Sequence, residues 1–141
     1  MIIFDSNVWV ALFNEKDSQH KKAKDLLVAT KESAKELVAL PEHIIAETAS
    51  VLVAKSGRET AELFLAAAMD NAAATILLSR PELFWRTLSL FRESEYIRKT
   101  KLSFIDTMLV ALSTDWGHTV VTFDRELERV IKKSALAHRR T

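Results

Sequence analysis

The sequence contains no cysteine, which excludes disulfides and any thiolate-held zinc or iron centre. That absence fits a reducing, cytoplasmic setting. Glycine and proline occur only twice each, so little material is left for long turns and most of the chain is expected in regular structure. No apolar run approaches the roughly 18–20 residues of a membrane span. No basic segment precedes the short apolar start, as a secretory signal requires. An excess of one charge is missing as well: 20 basic residues stand against 19 acidic ones, a balance that by itself points to no partner.

What is present is an ordinary globular composition. The chain has 141 residues, 48% of them hydrophobic, enough for one domain over 1–141 that buries a core without covalent staples. Charge is unevenly placed. Residues 1–97 carry a net −3 and residues 98–141 a net +4, so the basic excess lies towards the C-terminal end.

Residues 1–4, MIIF, are apolar throughout and read as a short strand buried on both faces. Further strands are expected at 37–40, 74–78 and 119–123. Helices are expected at 8–13, 17–34, 42–55, 59–70, 81–97, 103–116 and 125–133. Ala23, Leu26 and Leu27 should face inward from the second of these, and Ile44, Ile45, Val51 and Leu52 from the third. Pro41 and Pro81 suit helix starts, Gly57 a break, and Gly117 a helix end. Short apolar strands alternating with helices indicate an α/β fold with a parallel sheet covered on both faces. Right-handed crossovers place the carboxyl ends of the strands on one edge, where open α/β sheets bind ligands.

Four acids converge on that edge. Asp5 follows the first strand and Asp124 the last. Asp106 opens the helix leading to the last strand, flanked by Leu102, Leu109 and Val110 at helical spacing. Glu47 lies beside the apolar stripe of its helix, three residues after Ile44 and four before Val51. Carboxylates on buried faces must be neutralised, hydrogen-bonded or metal-bound. At an effective dielectric of 20, two such charges about 4 Å apart cost about 4 kcal/mol. No basic residue adjoins Asp5, Glu47 or Asp106, and a divalent cation offsets that repulsion.

Each acid alone has a plainer reading. Asp5 and Asp124 can be helix N-caps, Asp106 can close a capping box with Ser103, and Glu47 can be half exposed. These readings are independent, whereas one shared site accounts for all four.

The segments D-S-N after the first strand, the isolated Glu in the helix after the second, S-F-I-D-T-M-L-V-A-L-S, and T-F-D-R-E-L resemble the PIN-domain nucleases. The likeness is greatest to the small VapC-type toxins of toxin–antitoxin pairs, and it covers about residues 1–130. The resemblance implies a three-layer α/β/α domain around a parallel sheet of four to five strands. It also implies metal-dependent endoribonuclease activity, with Asp5, Glu47, Asp106 and Asp124 as acidic ligands of Mg²⁺ or Mn²⁺. Ser6, Asn7 and Thr122 match supporting positions, and Glu126 a position often acidic. The resemblance further implies a homodimer and a small antitoxin that silences the site. One departure stands out: the family usually ends in a fifth strand, and IKKSALAHRRT shows none.

The chemistry is consistent with those residues. Mg²⁺ takes octahedral oxygen ligation and keeps several waters, so a few carboxylates hold it against phosphate. An acidic site that binds a polyanion needs basic walls. Arg98, Lys99 and Lys101 precede the Asp106 helix, and Arg125, Arg129, Lys132, Lys133, Arg139 and Arg140 follow Asp124; the plainer reading is a solvated charged face. Single-stranded or looped RNA is the expected target. His20, His43, His118 and His138 have no ligand spacing. Trp9, Trp85 and Trp116 read as core or interface residues. Leu63, Phe64 and Leu65 are the expected apolar surface for a partner.

Other classes fit less well. A dehalogenase-type phosphotransferase needs D-x-D, and Asn7 stands at its second position. A receiver domain needs an acidic pair and a lysine that are missing. Neither accounts for Glu47. An RNA-processing PIN nuclease without an antitoxin, and an inactive PIN-like binding module, remain the alternatives within the fold.

Overall fold

The computed structural model describes residues 1–33, 36–70 and 74–140. The MIIF start forms β1 (Ile2–Phe4), with Ile3 and Phe4 fully buried. It is followed by α1 (Ser6–Phe13), α2 (His20–Ser33), β2 (Val38–Pro41), α3 (Glu42–Ser56) and α4 (Arg58–Met69). Then come β3 (Thr75–Leu77), α5 (Pro81–Glu93), α6 (Glu95–Arg98), α7 (Phe104–Thr114), β4 (Thr119–Val121) and α8 (Arg125–Arg139). The expected residue Ala34 lies outside the described residues.

The four strands form one parallel sheet in the order β3-β2-β1-β4. Ile2 and Ile3 lie opposite Val38 and Ala39 on one side and Thr119 and Val120 on the other. That order explains the layering. Right-handed crossovers carry the chain from β1 to β2 to β3 over one face, which places α1–α4 there. The return from β3 across to β4 must use the opposite face, which receives α5, α6 and α7, and α8 packs on α7. The direction of winding reverses between β1 and β4. The crevice at their carboxyl ends is therefore the topological switch point.

Packing supports this frame from both sides. Phe4, Trp9, Phe13 and Phe64 make successive tilted and edge-on ring contacts with centroids 5.4–6.0 Å apart, a favoured aromatic geometry. On the other face α7 buries Thr107 to Leu112 continuously, as expected for a helix enclosed by β1, β4, α5 and α8. Gly117, with φ +71°, turns the chain from α7 towards β4, a conformation that favours glycine.

Several expectations need correction. The helix expected over 81–97 is two, because Ser94 takes an extended conformation (φ −70°, ψ 121°) and caps both α5 and α6. The last helix runs on to Arg139 rather than ending near 133, so the tail is helical and no fifth strand occurs among the described residues. Phe64 is 1% exposed and belongs to the core; of the expected partner face, Leu63 is on the surface and Leu65 is half-buried. Trp9 is buried, whereas Trp85 and Trp116 are on the surface. Leu26 and Leu27 are only partly buried, with Ala23 the buried residue of α2.

Candidate active site at the carboxyl edge of the sheet

Asp5 ends β1 and is the N-cap of α1, its Oδ1 accepting the Ser6 N–H at 2.7 Å. Its Oδ2 accepts the hydroxyl of Thr122 at 2.8 Å, from a residue that follows β4. The N-cap reading of Asp5 therefore holds, and half of its carboxylate is still directed at the switch point.

Thr122 is the centre of a small network. Its Oγ1 accepts the Asn7 Nδ2 amide at 3.2 Å and the Asp124 N–H at 3.0 Å. With both of those contacts donors, its single proton is committed to Asp5. Asn7 in turn accepts the Phe123 N–H on Oδ1 at 3.2 Å, which sets the direction of its amide. α1 and the β4–α8 turn are thus bound together side chain to backbone.

Glu47 projects from α3 into the same region. Its Oε1 accepts the Ser6 hydroxyl at 3.0 Å. Its Oε2 is buried and has no hydrogen-bond partner. Asp106, at the start of α7, makes a capping box: Ser103 Oγ accepts the Asp106 N–H at 3.1 Å, and Asp106 Oδ2 accepts the Ser103 N–H at 2.9 Å. Asp124 is the N-cap of α8, with Oδ1 accepting from the Glu126 and Leu127 N–H groups. Three of the four acids therefore serve as caps, as the plainer readings expect.

Those caps do not isolate the acids. Asp5 is 4% exposed, and burial pushes its carboxyl up to about 6 against the opposing hydrogen bonds from Thr122 and Ser6. The charges of Asp106 and Glu47 add to the rise. Glu47 is likewise raised, first by burial, with the Ser6 hydrogen bond opposing and the Asp106 charge adding. Asp5, Glu47 and Asp106 are therefore near enough to feel one another. Asp124 joins them through Thr122, which bonds both Asp5 and the Asp124 backbone. Among the described residues no three His, Asp or Glu side chains are gathered into a finished ligand set.

Ser6, Asn7 and Thr122, expected as supporting residues, each take part in these hydrogen bonds. His43, one turn before Glu47, is held down to about 4, chiefly by burial, and neither ring nitrogen has a hydrogen-bond partner. Glu126 accepts the Lys101 N–H at 3.1 Å and pairs with Arg129 at 3.6 Å, bracing the chain between α6 and α7 against α8. Arg98, Lys99, Lys101, Arg125 and Arg129 are all exposed on that side of the molecule. Tyr96 was not a candidate in the sequence, yet it lines a cleft with Lys99 and Arg129. The available signal was an aromatic residue set among bases in YIRKTK.

An open parallel α/β domain with a cluster of acids at its switch point defines the class. The chain belongs to the PIN domain family, whose model matches residues 2–133. No curated protein matches it. Among solved structures it is similar to Mycobacterium tuberculosis VapC20, described as a sarcin–ricin-loop-cleaving toxin. The two share 21% identity and a TM-score of 0.78, over 92% of this chain and 94% of that one.

Proposed function

We propose that this protein is a divalent-metal-dependent endoribonuclease, the toxin of a toxin–antitoxin pair, acting in the cytoplasm as a single nuclease domain. The observation that carries the reading is the acid cluster at the switch point: Asp5, Glu47 and Asp106 lie within one another's electrostatic influence, and Oε2 of Glu47 is buried without a hydrogen-bond partner. Such an arrangement is costly as it stands. A bound divalent cation would offset that cost.

Asp5 and Asp106 would hold Mg²⁺ or Mn²⁺ directly, with Glu47 and Asp124 completing the set directly or through water. The open oxygen of Glu47 fits a cation ligand better than a structural acceptor. When bound, the metal supplies an activated water and neutralises the charge of the leaving oxygen. The chain's own part is orientation. Ser6 holds Glu47, Thr122 holds Asp5, and Asn7 holds Thr122 together with the turn that presents Asp124.

The family membership and the similarity to the VapC20 toxin support an RNA substrate and a silencing antitoxin. The surface supports a homodimer. α5 buries Leu83 and Thr87 against the core; Phe84 and Phe91 pack their rings on Phe104 of α7 yet stay partly exposed, with Trp85 at 63% exposure beside them. Apolar surface left exposed in this way suits a second copy of the chain.

The test is cleavage of varied RNAs by wild type and Asp5→Asn, in Mg²⁺, Mn²⁺ and EDTA. Cleavage by the wild type alone, abolished by EDTA, is the expected result. Equal cleavage by both proteins removes Asp5 from the site, and none by either refutes the activity on those substrates.

A further inference from the structure

A cleft of about 220 Å³ opens between α6 and α8, lined by Tyr96, Lys99, Thr100, Arg129, Val130 and Lys133, with Glu95 at its margin. Its composition is unlike a packing defect. Val130 is the buried floor, and three cations face a single acid across the opening. Lys99 and Lys133 form no ion pair among the described residues, and Arg129 has only the exposed pair with Glu126 at 3.6 Å, a kind that holds weakly. Tyr96 is 45% exposed and makes no contact with another aromatic ring among the described residues, while its neighbour Ile97 is buried and anchors the short helix beneath it. The one tyrosine of the chain is thus presented to solvent among three cations, of which Arg129 alone has an ion pair among the described residues.

Position gives the cleft its meaning. One wall is the segment that runs into Asp106, and the other is the helix that runs out of Asp124. The Lys101–Glu126 hydrogen bond ties those walls together beside the acids. At about 1.5 Å rise per residue, Arg129 and Lys133 lie roughly 7 and 13 Å along α8 from its Asp124 cap. A polyanion engaged at the acid cluster and leaving along α8 passes over this cleft.

Resting on the nuclease reading above, we infer that the α6–α8 cleft is a nucleotide subsite for single-stranded RNA, with Tyr96 as the platform for an unstacked base and Lys99, Arg129 and Lys133 as its phosphate contacts. Aromatic stacking and cations in one groove are the two elements by which single strands are held without sequence readout. A duplex cannot offer a base face to Tyr96. An acidic protein segment matches the cations but leaves the ring unused.

The experiment measures binding of a labelled, mixed-sequence single-stranded RNA by fluorescence anisotropy, in Mg²⁺. The Asp106→Asn background blocks cleavage while keeping an acceptor for the Ser103 N–H. Tyr96→Ala should weaken binding by about 5- to 100-fold, and Tyr96→Phe should restore it. Lys99→Ala and Lys133→Ala should each flatten the slope of log affinity against log salt by about 0.7. All these side chains are exposed, and thermal unfolding should show each variant folded as its parent is. If the parent binds, the wild type cleaves, and these variants match the parent in affinity and slope, the subsite is refuted and the nuclease reading stands. If the wild type neither binds nor cleaves RNA, both fall. If the variants keep RNA affinity but lose an acidic protein partner, the cleft is a protein surface and the inference is overturned.

Discussion

Replacing Asp5 by Asn should make the metal-free protein more stable at pH 7.5, although it removes a central group of the site. The carboxyl is 4% exposed and its pKa is raised from 3.8 to about 6, first by burial and further by the charges of Asp106 and Glu47. In the unfolded chain Asp5 loses its proton near pH 4, whereas the folded chain keeps it to about pH 6. Between those values the fold binds the extra proton, so stability falls as pH rises. Above the window the full cost, about 3 kcal/mol, is present. Asparagine removes that cost and remains a good N-cap for the Ser6 N–H. It forfeits the bond from Thr122, whose only proton has no other acceptor in the network, at about 1 kcal/mol. The net gain at pH 7.5 is then about 2 kcal/mol, a rise of roughly 4–8 °C in Tm. At pH 3, below both pKa values, where Asp5 is protonated in the folded and unfolded chain alike, the variant should be the less stable by about 1 kcal/mol. Thermal unfolding in EDTA at the two pH values reads this crossover. His43, held down to about 4 by burial, gives both proteins an opposite slope, so the difference between them is the quantity to compare. An Asn variant less stable than wild type at both pH values, or equally more stable at both, refutes the electrostatic argument.

Adding Mg²⁺ or Mn²⁺ at pH 7.5 should raise the Tm of the wild type, continuing to rise with the logarithm of metal concentration above Kd, and leave Asp5→Asn nearly unmoved, which calorimetric titration can confirm. At Asp124 the capping and chemical roles can be separated: Asp124→Asn keeps an acceptor for the Glu126 and Leu127 N–H groups and should lose cleavage alone. Asp124→Ala should in addition lose about 1 kcal/mol in denaturant unfolding. Trp85→Glu, on the exposed apolar surface of α5, should convert a dimer to a monomer in light scattering without altering Tm at low concentration; an unchanged mass places the dimer surface elsewhere.

Much of the site is legible in the sequence because each acid sits at a place with a local signature. MIIF announces a strand that must stop at Asp5, and S-F-I-D announces a helix start at Asp106. What local patterns cannot show is that one residue performs two tasks: Asp106 closes its capping box and also raises Asp5 through space. Nor does any pattern link Asn7 to Thr122, 115 residues away; only the pairing of β1 with β4 brings them together. Phe64 reads as surface from the sequence because the rest of the buried face of α4 is alanine, Ala61 and Ala68, and small residues give the apolar stripe little contrast. The break at Ser94 has no glycine or proline to mark it. The long final helix was hidden by its charges, although Leu127 and Val130 already set its buried face.

The contact between Asp5 and Thr122 spans 117 positions of sequence, and β1 gains its β4 neighbour only when residues 119–121 exist. During synthesis a growing chain can complete α1–α4 on one face of the sheet while its acid cluster still lacks Asp124, the Thr122 hydroxyl and the helix that Asp124 caps. The site is therefore assembled last, after translation has passed residue 124. A site built this way stays incomplete until the last strand and the turn after it have joined β1.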